Sequence, residues 1–105
     1  MRKWLKRLYR SKENITKEEM REMINNYSSV ILLDVRSHKE YAEGHLNGAI
    51  NIPIYDLYME APKALKDKEV IIIAYCTVGV RSESAIKILR KMGYKNLYHL
   101  DGGIG

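Results

Sequence analysis

Two runs of this chain are apolar almost from end to end, and each gives way to a stretch of helical periodicity. Val70–Tyr75 (VIIIAY) has no solvent-facing alternation, so it reads as a strand covered on both faces. Val30–Val35 (VILLDV) reads as a second buried strand. After the first run, Ala85, Ile88, Leu89 and Met92 fall at i, i+3, i+4 and i+7, which is helical spacing. Strands buried on both sides and alternating with helices imply an α/β fold: a mostly parallel central sheet with helices on both faces.

The remaining elements fit that frame. Thr16-Lys17-Glu18-Glu19 is a capping box followed by Met20, Met23, Ile24 and Tyr27 at helical spacing, which predicts a helix over about 17–27. Ser37-His38-Lys39-Glu40 is a second capping box, opening a short helix that ends near Gly44. Ala49–Ile52 reads as a short strand stopped by Pro53, and Ile54–Met59 as a short helix interrupted by Pro62. A helix over 82–92 with Gly93 at its C-cap, and a strand Leu97–Leu100, complete the pattern.

Cys76 is the single cysteine, and it stands where the strand 70–75 passes into that helix. A thiol there lies beside N–H groups without helical partners and the positive end of a helix dipole. Both favour the thiolate and the binding of small anions. A lone cysteine forms no internal disulfide, which fits a reducing, cytoplasmic setting. It also excludes a multi-cysteine zinc site, and His38, His45 and His99 show no ligand spacing, so no metal or other cofactor is expected. Ligands of a parallel sheet bind beyond the carboxyl ends of its strands. Asp34 and Arg36 lie at such an end, on the same edge as Cys76. Asp34 is expected to serve structure, and Arg36 to pair with Glu40 four residues on.

The 105 residues suit one domain, and 46% hydrophobic with 30% charged is an ordinary soluble composition. No apolar run approaches the roughly 18 residues of a membrane-spanning helix. The net charge of +5 is concentrated in a basic arm, residues 1–14, where Arg2, Lys3, Lys6, Arg7, Arg10 and Lys12 precede any acid. Interleaved Trp4, Leu5, Leu8 and Tyr9 give residues 2–10 the pattern of a short basic amphipathic helix. The arm is read chiefly as solubilising, with docking to an acidic partner or an anionic membrane surface as the other reading. No reader motif or stacking platform accompanies the charge, so nucleic acid is not an expected partner.

Three stretches make the chain resemble the rhodanese domain: LLDVRSHKEYAEGHLNGAINIP (32–53), the loop CTVGVRS (76–82) and GYKNLYHLDGGI (93–104). The likeness spans about 90 residues and implies a rhodanese-like domain over 15–105. It implies a sulfurtransferase that takes sulfane sulfur from thiosulfate or a persulfide and passes it to a thiophilic acceptor such as cyanide or a thiol. Cys76 would be the nucleophile and persulfide carrier, with Thr77, Val78, Gly79, Val80 and Arg81 as the substrate cradle. The alternative is a non-turnover module: a persulfide relay, or a protein-binding module, that receives sulfur only from a partner protein. The related cell-cycle phosphatases need five residues between cysteine and arginine, whereas four intervene here, a tighter bowl suited to sulfur.

In this reading, inward amides, the dipole and Arg81 acidify the thiol. Val78 and Val80 bring no competing donors. No histidine is near in sequence, so electrostatics must deprotonate the thiol without a base. Ser82 is expected to be a helix-start hydroxyl, His45 a turn residue, and Gly102-Gly103 a turn that brings backbone to the cysteine edge. The family usually continues into a closing helix after that turn. The chain stops at Gly105, so that helix is expected to be absent or truncated, leaving part of the sheet face open to a partner or a second copy.

Overall fold

The computed structural model describes residues 13–105, so the expected helix over 2–10 lies outside the described residues. Five strands form one all-parallel sheet: β1 (Asn14–Ile15), β2 (Val30–Asp34), β3 (Ile50–Asn51), β4 (Ile71–Tyr75) and β5 (Asn96–Leu100). Their spatial order is β1-β5-β4-β2-β3. The two apolar runs take the central places β4 and β2, where both faces are covered and neither edge is open. β1 has no signal of its own in the sequence. Two residues become a strand because Asn14 and Ile15 pair with His99 and Leu100.

Helices α1 (Lys17–Asn26) and α2 (His38–Glu43) both begin with complete capping boxes, on Thr16/Glu19 and Ser37/Glu40. A single 3-10 turn, Ile54–Asp56, leads into α3 (Leu57–Ala64). Pro62 does not interrupt α3 as the sequence suggested; it sits within the last turn. Leu57, Ala61 and Leu65 are buried along one face, and Tyr94 Oη donates to the carbonyls of Ala61 and Leu65 (3.1 and 2.5 Å). Packing and this external cap offset the hydrogen bond that proline removes.

Strand alternation sorts the core into two layers. Leu33, Ile72, Ala74 and Leu97 face α3 and α4 (Val80–Lys91), packing on Leu57, Ala61, Ala85, Ile86 and Leu89. Ile73, Tyr75, Tyr98 and Leu100 face the other way, onto Met20 and Met23 of α1. Among the described residues, the apolar side chains of the strands are buried or partly buried. The exposed large apolar side chains there are Ile24, Tyr55, Tyr58, Met59, Val78 and Val80, none of them on a strand. Ile104 helps close the α1 face, held by its N–H to the carbonyl of Cys76 (3.0 Å).

Candidate active site

Cys76 is the first residue beyond β4, and the helix after it begins two residues earlier than periodicity implied. Gly79 is the N-cap of α4, with φ of +97°, a left-handed conformation that L side chains rarely adopt. That reversal folds residues 76–79 back so that the helix N-terminus points at the sulfur. The N–H groups of Gly79 and Ser82 lie 3.1 and 3.4 Å from Cys76 Sγ. Both belong to the first turn, whose N–H groups have no helical acceptors. The thiol is almost wholly buried, at 1% exposure, yet surrounded by donors. Burial pushes its pKa up. Hydrogen bonds from Ser82 N–H and hydroxyl, and from Gly79 and Val78 N–H, outweigh burial and leave the pKa below its ordinary value.

Arg81 is the second residue of α4. Its guanidinium is engaged in a two-pronged pair with Glu40 of α2, Nη1 to Oε1 at 2.8 Å and Nη2 to Oε2 at 3.0 Å. The same guanidinium lies 3.4 Å from Thr77 Oγ1, which lies 3.4 Å from Glu40 Oε2. Arg81 holds the Glu40 carboxyl well below the usual carboxylate range. Glu40 therefore does not pair with Arg36, against the sequence expectation. Arg36 turns instead onto Asp34, with Nε 3.1 Å from both carboxylate oxygens and Nη2 2.8 Å from Oδ2, and donates to Gly44 O at 2.6 Å. Asp34 is fully buried and also accepts from Arg36 N–H (2.9 Å), the structural part expected of it. Val78 and Val80 point outward, 65% and 67% exposed, as side chains that neither donate nor accept.

The Gly102-Gly103 turn does bring backbone to the cysteine edge. Gly103 donates to Leu100 O (3.2 Å), Ile104 to Cys76 O (3.0 Å) and Gly105 to Thr77 O (2.8 Å), so the segment lies along the loop like a strand. His45 is at its turn, Nδ1 2.9 Å from Tyr41 O with its ring stacked on Tyr41 at 3.7 Å between centroids.

Two residues near the sulfur are more than the sequence reading made them. Ser82 is fully buried, with its hydroxyl 3.6 Å from Cys76 Sγ, 3.1 Å from Gly79 O and 3.3 Å from His99 Nδ1. A histidine thus stands one hydroxyl away from the thiol, although none is near in sequence. Periodicity marks the core-facing side of each element but not that these two residues meet across them. Ser82, Ala85, Ile86 and Leu89 share one buried face of α4, and His99 shares the strand face of Leu97 that α4 covers.

The rhodanese-like domain family matches residues 16–105. The chain belongs to that family. Among relatives, the rhodanese-like domain is 39% identical over 90 residues to the tRNA uridine(34) hydroxylase of Hamiltonella defensa, covering 82% of this chain and 25% of that protein. The chain spans about a quarter of the length of that curated relative. Among solved structures it is similar to a human single-domain sulfurtransferase, with TM-score 0.76 and 26% identity over 87% of this chain and 90% of that one. It is also similar to a thiosulfate sulfurtransferase from Pseudomonas aeruginosa, with TM-score 0.78 and 26% identity over 87% of this chain and 17% of that one. Among the described residues, no helix is long and apolar enough to cross a membrane.

Proposed function

We propose that this rhodanese-like domain is a sulfurtransferase that carries sulfane sulfur as a persulfide on Cys76. The observation that carries the reading is the pair of first-turn N–H groups, from Gly79 and Ser82, aimed at a sulfur whose pKa they help to lower. The Cys76 thiolate attacks the outer sulfur of an anionic donor such as thiosulfate. The donor's S–S bond breaks, sulfite leaves with the electron pair, and a Cys76 persulfide anion remains. An acceptor, cyanide or a thiolate, then attacks the terminal sulfur and Cys76 departs as thiolate. The donors that stabilise the thiolate also stabilise it as the leaving group in the second step. Structural similarity to proteins named as sulfurtransferases supports the same reading.

Exposure to thiosulfate should add one sulfur atom to Cys76 by mass spectrometry, and cyanide should remove it as thiocyanate. A cysteine left unmodified by saturating thiosulfate counts against a small-molecule donor. The second reading is then favoured: a persulfide relay loaded only by a partner protein. Transfer from a cysteine desulfurase onto Cys76, without any from thiosulfate, is its expected signature.

A further inference from the structure

One buried titratable group takes no part in the sulfur chemistry above. His99 is 8% exposed, on the β5 face covered by α4. Its Nδ1 lies 3.3 Å from Ser82 Oγ, and Ser82 Oγ lies 3.6 Å from Cys76 Sγ. The ring also forms part of the wall of a cavity of about 260 Å³, lined among others by Asn14, Gly79, Glu83 and Asp101. The sulfur itself is not in that wall. Cys76, Ser82 and His99 therefore form a chain of hydrogen-bonding groups that leads from an enclosed sulfur to an aqueous opening.

We propose that Ser82 and His99 are a proton path for Cys76, with His99 as the acceptor and Ser82 as the conduit. This rests on Cys76 being the nucleophile. The thiol proton passes to Ser82 Oγ while the hydroxyl proton of Ser82 passes to His99 Nδ1. The products are a thiolate, a neutral serine and an imidazolium, with every proton accounted for. In that state Nδ1–H donates to Ser82 Oγ and the serine O–H turns onto the sulfur. Gly79 O, 3.1 Å from Ser82 Oγ, is the hydroxyl's competing acceptor when the path is idle. His99 acts through Ser82, so it is a positioning residue in the sense of placing a proton.

The surroundings of the ring suit an acceptor that is neutral at rest. Burial lowers the His99 pKa, while Glu83 on α4 and Asp101 beyond β5 raise it, and the net displacement is downward. β1 contributes the uncharged Asn14 to the same cavity, and β4 leads into Cys76. An imidazolium formed there faces two carboxylates and a thiolate, which stabilise it once the proton arrives.

The test is the rate of Cys76 alkylation by iodoacetamide as a function of pH, which needs no sulfur donor and so is independent of whether a persulfide forms. His99→Gln preserves a hydrogen-bonding partner for Ser82 but accepts no proton. Near pH 7 it should slow alkylation about tenfold, the worth of one charge-assisted contact. At high pH, where the thiol ionises unaided, the rates should converge. Superimposable profiles for wild type and His99→Gln overturn the proposal. A second readout avoids any change at His99: NMR titration of its ring in the wild type and in Cys76→Ser. Removing the sulfur should move His99 protonation to lower pH, because the thiolate no longer stabilises the imidazolium; an unchanged titration overturns the proposal equally.

Discussion

Arg81 answers to two carboxylate-like demands at once. Its fork is closed on Glu40, yet its charge also acts on the Cys76 thiolate, and each partner favours the cation. An anionic donor approaching the loop meets a guanidinium already held in place, so less rotamer freedom is lost on binding. Arg81→Ala should therefore weaken thiosulfate affinity by roughly 1.5–3 kcal/mol, the worth of a charged hydrogen bond. It also leaves the Glu40 carboxylate uncompensated beside the loop. Adding Glu40→Gln to Arg81→Ala should recover part of the affinity, as read from donor concentration dependence in single-turnover sulfur loading. If Arg81→Ala binds donor like wild type, the backbone amides alone hold the anion.

The loop, α2 and the closing turn form a single element-level device. Glu40 is the N3 residue of the α2 capping box and the clamp on Arg81, so the start of one helix is tied to the start of another. On the other side, residues 103–105 lie against the carbonyls of Cys76 and Thr77. A Cβ on Gly103 would fall inside contact distance of both carbonyl oxygens, and the residue's φ of +67° favours glycine independently. Gly103→Ala should lower stability by about 2–3 kcal/mol and slow sulfur loading, because the turn and the loop cannot both keep their places. Chemical denaturation and the alkylation rate of Cys76 together check this. A variant with wild-type stability and reactivity would show that the segment does not brace the loop.

The whole molecule is a thin sheet between two apolar layers, and α4 belongs to both the core and the site. Leu89 is fully buried between α4 and the sheet, so Leu89→Ala should cost about 2–5 kcal/mol, against little for the exposed Tyr58→Ala. Equilibrium unfolding in urea measures both. The chain's own pattern carried a good deal of this architecture. Short continuous apolar runs marked the central strands, capping boxes placed the starts of α1 and α2, and a thiol between strand and helix marked the edge where chemistry occurs. Those features are local: they depend on side-chain period and on backbone groups within a few residues. Sequence could not show that β1 exists, that α4 starts at Val80, that Glu40 would choose Arg81 over Arg36, or that His99 stands beside Ser82. Each depends on which strands become neighbours and how the turn at Gly79 aims the next helix. Pairing between distant segments is decided by shared burial and backbone hydrogen bonding, which no stretch of the chain encodes alone.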